Sequence, residues 1–465
     1  MVQKFTQFAC RHPFKFYFLA CFAFTLTTAF CIQLALLPYV LPHLHGGHGL
    51  LVGGDWLGFH QLAESQAHEI VRLGWGEWRL SPGGHAPAGI ASIFYAIFTA
   101  EPWVLIPLNA AIHAGAAVLL ARMLWMITDC AWISILSTLP FLMFPSAATW
   151  YSQIHKEGYY IFGYFLCLHG WMQIVQSRGT DFFNKSVFRG GLCILTGVLI
   201  VAAMRDFGAM LIAAMSSLFA LAISVRLLAA AWPRLTGRVL MSVVLFLAIP
   251  IFIMKYSTNH YFDSTIVAFS DARSQMGFDS SQNKKMGDSW IKSSVIPGAI
   301  DVQFSVISEL RRNFYTNYSG AKTNIDANIR FNTAVDFLTY LPRAVQVGML
   351  APFPEHWMAL GSSVESTWMR RVTAMEMIVS YLSFLFVPYF LWRNYRILNT
   401  FLFAQTNFFF ILLYTYAIPN VGALYRMRYG FYMAIVALGV AGIVSSLKNY
   451  FGNKRKAGAY FAERH

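Results

Sequence analysis

Residues 190–226 read GGLCILTGVLIVAAMRDFGAMLIAAMSSLFALAISVR. Arg205-Asp206 is the single charged break before Arg226 closes the stretch. A helix rises about 1.5 Å per residue, so about 20 apolar residues cross the roughly 30 Å of a bilayer's hydrocarbon core. The stretch therefore reads as two membrane spans, 190–204 and 207–226, joined by a tight turn. The rest of the chain follows the same pattern. Of its 465 residues 57% are hydrophobic and only 12% are charged, with a mean hydropathy of +0.50. Soluble domains carry about 25% charged residues. A soluble globule could not hide this much apolar surface, and a disordered chain would not contain it.

Further runs of spanning length lie near 14–40, 103–126, 131–149, 157–175, 239–255, 373–392, 398–418 and 429–447, which makes ten spans. The run Phe14–Leu41 is too long for a signal-peptide core and lacks a small-residue exit, so it is expected to be a retained first span. The shorter run 86–100 reads as an interfacial helix or an eleventh crossing, and 341–353 is similarly open. The expected fold class is an all-α polytopic membrane protein of about ten or eleven spans, both termini on one side. Its expected organisation is a transmembrane module over 1–255 with a first outer loop at 42–102, an outer region at 256–372, and C-terminal spans with a short basic tail at 373–465. The segments assigned inside hold 17 of the 35 Lys and Arg and three of the 21 acids, so the whole +14 net charge lies there. By the positive-inside rule that side is the cytoplasm, and the basic excess reports topology and anionic lipid, not nucleic acid. The six cysteines sit in or beside apolar segments without a C-x-x-C pair and read as packing residues.

The chemistry-bearing residues gather on the outer side. The first outer loop carries His43, His45 and His48, then Gly53-Gly54-Asp55-Trp56, then His60 and Glu64. Asp55 opens a helical pattern, where a carboxylate is favoured by the helix dipole. It reads either as an N-cap or as a base that deprotonates an acceptor hydroxyl. The three early histidines have loose metal-ligand spacing without thiols and read chiefly as interfacial polar residues. His85-Ala86-Pro87 enters a short helix at 88–98, with His85 at a cavity mouth or in a plain loop. In His155-Lys156-Glu157 a charge pair tops a span. Lys156 either snorkels or contacts a phosphate, and Glu157 shapes the cavity with His60 and His85. Neighbouring residues on a helix do not face each other, so Arg205 is expected to find an anion other than Asp206. Arg343 heads an apolar segment, and Arg426 and Arg428 stand at the outer end of the last span, spaced so that at most one reaches a given ligand. Five cations at an outer face suit a phosphate. The chain has no Walker loop, and nucleotides are cytosolic, so a lipid-linked phosphate is the expected anion.

These motifs resemble the GT-C superfamily of multi-spanning glycosyltransferases, which includes bacterial aminoarabinose transferases and protein mannosyltransferases. The resemblance rests on Gly53-Gly54-Asp55, His85-Ala-Pro, Phe144-Pro-Ser with His155-Lys156-Glu157, and Met204-Arg205-Asp206, and covers residues 10–230. The second half looks like membrane proteins of bacterial polysaccharide loci. The resemblance implies sugar transfer from a polyprenyl phosphate to a glycan, lipid or protein acceptor at the periplasmic face of the inner membrane. Asp55 is then the base, and Lys156 and Arg205 stand near the donor phosphate, with Arg343, Arg426 and Arg428 as further candidates. Many members have a second acid directly behind the first. Here Trp56 follows Asp55, which leaves a divalent cation an open question. A polymerase or ligase of lipid-linked glycans is an alternative. A flippase or transporter is a weaker one, because the chain has no internal repeat and few charges inside spans. Glu376 and His113 are the exceptions, read as polar contacts between helices.

Overall fold

A computed structural model describes residues 11–177, 184–205, 208–232, 236–255, 290–361 and 363–462. Among the described residues the repetitive structure is helical, apart from two isolated bridges, His45–Leu51 and Asn324–Asn420. In lipid every backbone N–H and C=O must be paired within its own segment, and helices achieve that. Eight helices of the described residues are long and apolar enough to span: Pro13–Val40, Pro102–Thr128, Lys185–Met204, Gly208–Ala231, Gly237–Lys255, Ser366–Arg393, Leu398–Ala417 and Tyr429–Phe451. The chain is an all-α polytopic membrane protein.

Two of the ten expected runs fall outside these eight. The run 131–149 is not one straight span. Its helices Ala131–Met143 and Pro145–Tyr151 meet at 71°. Pro145 has no N–H to continue the first helix and forces Phe144 into an extended conformation, ψ 128°. The run 157–175 does form a continuous helix, Glu157–Gln176, but it is less apolar than the eight. Its polar and aromatic residues are sheltered by neighbours, and most of its side chains are buried. The stretch 86–100 forms a helix over Ala86–Ile97, 12 residues and too short to cross. Of the stretch 341–353, residues 341–350 end a 17-residue helix, Ala334–Leu350.

The chain forms two compact units. The first comprises Met1–Ser257, Val379–Ala404 and Met433–His465, and the second Thr258–Ile378 and Gln405–Tyr432. In the first unit we label α1 (Pro13–Cys31), α2 (Asp55–Leu73), α3 (Ala86–Ile97), α4 (Ile106–Thr128), α5 (Glu157–Gln176), α6 (Lys185–Met204) and α7 (Gly208–Ala231). α5 and α6 pack closely because glycines face each other across the crossing. A Cβ on Gly170 would lie 2.5 Å from the Gly190 carbonyl oxygen, and one on Gly197 would lie 2.5 Å from that of Gly163. Small residues let two backbones approach in lipid, where apolar burial gives no driving force between helices.

Candidate functional site

The loop that precedes α2 is fastened to the chain just before α5 by side-chain amides. Gln153 Oε1 accepts from the Leu51 N–H at 3.0 Å, and Asn109 Nδ2 donates to the Gln153 carbonyl at 3.0 Å. Tyr159 Oη donates in turn to Asn109 Oδ1 at 2.8 Å. Gln33 from the first span donates to the Ser152 carbonyl. Trp56 folds back, donating its indole N–H to the Leu51 carbonyl, with its ring 5.8 Å from that of His155. Gly54 is needed here, since a Cβ would fall 2.1 Å from the Trp56 ring.

This architecture sets where Asp55 stands. Gly54 is the N-cap, in extended conformation, and Asp55 is the first helical residue, exposed to solvent. The N-cap expectation for Asp55 is thereby corrected by one position. The carboxylate still lies at the positive end of the α2 dipole. One turn further, Phe59 lies between two other expected site residues. Lys156 Nζ is 5.9 Å from its ring centroid, and the His85 ring is 4.9 Å away. The half-buried His85 is held below the usual histidine range, first by burial and then by the Lys156 charge, while Asp55 pulls it upward. The fold thus draws together an acid, an imidazole and an ammonium from residues 55, 85 and 156. His60 sits deeper in α2, with its Nδ1 2.8 Å from the Tyr95 hydroxyl and its ring 4.8 Å from that of His48. Burial, then the His48 charge, lowers its pKa against the pull of Glu64 and Glu101.

Arg205 finds its anion in Glu157, and the pair is buried, with side chains 4% and 1% exposed. Glu157 lies in the first turn of α5 and Arg205 is the C-cap of α6, so each charge complements the dipole of its own helix. Arg205 also lies over the Tyr160 ring at 5.1 Å, and the Glu157 N–H donates to His155 Nδ1 at 3.0 Å. Asp206 lies outside the described residues. Among the described residues no group of three or more His, Cys, Asp and Glu is arranged to hold a metal ion.

The three later arginines belong to the second unit. Arg343, on helix Ala334–Leu350, holds Asp326 through Nε at 2.9 Å and Nη2 at 3.1 Å. Tyr340 donates its hydroxyl to the same carboxylate at 2.8 Å. Burial alone would raise the Asp326 pKa, but these hydrogen bonds and the charges of Arg343 and Arg311 bring it below the usual carboxylate range. Arg428 is 1% exposed and donates to the carbonyls of Val347, Gly348 and Ala351, which end that helix. A buried cation there serves the helix C-terminus. Arg426 is half-buried. Glu376 accepts from the Tyr425 hydroxyl in the same unit.

Sequence reading missed Phe59, Asn109, Gln153 and Asp326. Phe59 was legible as the residue one turn after Asp55. The two amides and Asp326 carry no local signal, because their partners are distant in sequence.

Set beside protein-family models, curated proteins and solved structures, the chain has no match. Its class, a helical multi-span membrane protein, rests on its own architecture.

Proposed function

We propose that the chain is a membrane glycosyltransferase that moves a sugar from a polyprenyl phosphate to an acceptor at the outer face. The observation supporting this reading is the meeting of His85 and Lys156 at Phe59, one turn after Asp55, whose charge acts on His85. In the proposed reaction Asp55 accepts the proton of the acceptor hydroxyl. The acceptor oxygen then bonds to the anomeric carbon as the bond from that carbon to the phosphate oxygen breaks, with inversion. Lys156 stabilises the departing polyprenyl phosphate. The Arg205–Glu157 pair anchors the start of α5, directly after Lys156, and so fixes where that cation stands. The reading confines the donor phosphate to cations of the first unit. It sets the protein in the inner membrane, termini in the cytoplasm and Asp55 facing the periplasm.

The full-length protein, purified and given a polyprenyl-phosphate sugar with acceptor, should release polyprenyl phosphate. Asp55→Asn should slow release by about 10²–10⁴-fold, the scale of lost general-base catalysis. Lys156→Met should slow it less. Undiminished release by Asp55→Asn, or lipid movement across liposomes without release, overturns the reading.

A further inference from the structure

The opposite ends of the same helices line a cavity. α5 starts at the Arg205–Glu157 pair and ends at this cavity with Gln176, and α4 reaches it with Trp125. At about 1.5 Å per residue, these helices carry the cavity roughly 30 Å from the Asp55 end, one hydrocarbon thickness away. Its volume is about 470 Å³, within the range of small-molecule sites.

Its polar lining is mixed in a specific way. Arg226, from α7, is exposed and donates through Nη1 to the Val175 carbonyl at 2.6 Å. Asp129, the C-cap of α4, is exposed at φ +51°. Asn399 is 3% exposed, and its Nδ2 donates to the Met172 carbonyl at 3.2 Å. The lining therefore offers one cation, Arg226, one anion, Asp129, and the amide of Gln176, beside an apolar wall that includes Trp125 and Ile397. A simple phosphate suits Arg226 but meets the like charge of Asp129. A simple amine suits Asp129 but meets Arg226. A molecule with both groups suits both.

We propose that this cavity binds a phosphoethanolamine group, with the phosphate on Arg226 and the primary ammonium on Asp129. Its source is an aminophospholipid of the bilayer or a soluble headgroup, and the apolar wall fits the glycerol end of the lipid. This inference is independent of the sugar-transfer reading, because it concerns other residues at the other end of the spans.

The full-length protein in detergent, mixed with equal amounts of phosphatidylethanolamine, phosphatidylcholine and phosphatidylglycerol, should retain the first about tenfold over the others in native mass spectrometry. Asp129→Asn should lower that retention about tenfold and leave phosphatidylglycerol unchanged or stronger. Arg226→Gln should weaken both. Displacement of the lipid by equimolar glycerophosphoethanolamine identifies a soluble source, and persistence identifies the lipid. Equal retention of phosphatidylcholine, whose ammonium has no N–H, overturns the proposal. So does an Asp129→Asn protein that binds like the wild type. Both variants alter exposed side chains, so a folded protein is expected in each.

Discussion

Removing one member of the Arg205–Glu157 pair strips the other of this ion pair in an almost dry site. Both side chains are at most 4% exposed. Breaking such a pair from one side costs about 3–5 kcal/mol, whereas replacing both partners with groups of similar size is close to neutral. Arg205→Met and Glu157→Gln should therefore each destabilise by about 3–5 kcal/mol, and the double variant by far less than their sum. At about 2.1 cal/mol/K of unfolding entropy per residue, each kcal/mol moves the melting midpoint of a unit of this size by roughly 1.5 °C. Each single variant should then melt roughly 5–8 °C lower. Detergent-solubilised membrane proteins commonly unfold irreversibly, so the apparent midpoint by fluorescence-detected size exclusion, at one heating rate, is the suitable readout. Arg205→Lys should rescue only in part, because lysine keeps the charge but not the planar fork over Tyr160. If the losses of the two single variants simply add in the double variant, the charges do not depend on each other and the reasoning fails.

The α5–α6 crossing predicts opposite effects from two glycines of one helix. Gly197→Ala would bring its Cβ to 2.5 Å from both the Gly163 carbonyl and Cys167 Sγ, so it should cost about 1–3 kcal/mol as overpacking. Gly191→Ala meets nothing within 4 Å and should be neutral or stabilise by up to about 1 kcal/mol; thermal midpoints in the same detergent check both, and equal shifts would contradict the close approach. Asp326 predicts a pH dependence. Its folded-state pKa is depressed, so its contribution is complete above the ordinary carboxylate range and fades as pH falls through the lowered value. Asp326→Asn, a residue that tolerates the φ of +50° at this position, should be less stable than wild type by a constant margin from pH 8 to about 5. That margin should shrink below about pH 4; a margin unchanged at pH 3 would rule out a carboxylate contribution.

How much of this was legible in the sequence depends on the range of the interaction. The spans could be read from runs such as 190–204 and 207–226, because the cost of exposing polar backbone to lipid falls on each segment separately. The break at Phe144-Pro145 was also local, since proline acts on its own helix and on the residue before it, yet hydropathy alone passes over it. Asp55 at a helix start followed from its glycines and the apolar period behind it.

The destinations of the charges were not legible. Arg205 was expected to seek an anion, but its partner is Glu157, 48 residues earlier. Arg343 and Arg428 were read as outward-facing cations, and the fold gives one a carboxylate and the other the end of a helix. Local sequence determined the helices and where charge had to sit at their ends, because backbone pairing and the helix dipole act within a segment. Only the tertiary structure decided which charges meet, because electrostatic attraction depends on distance in space and on the water excluded between partners, and a linear chain specifies neither.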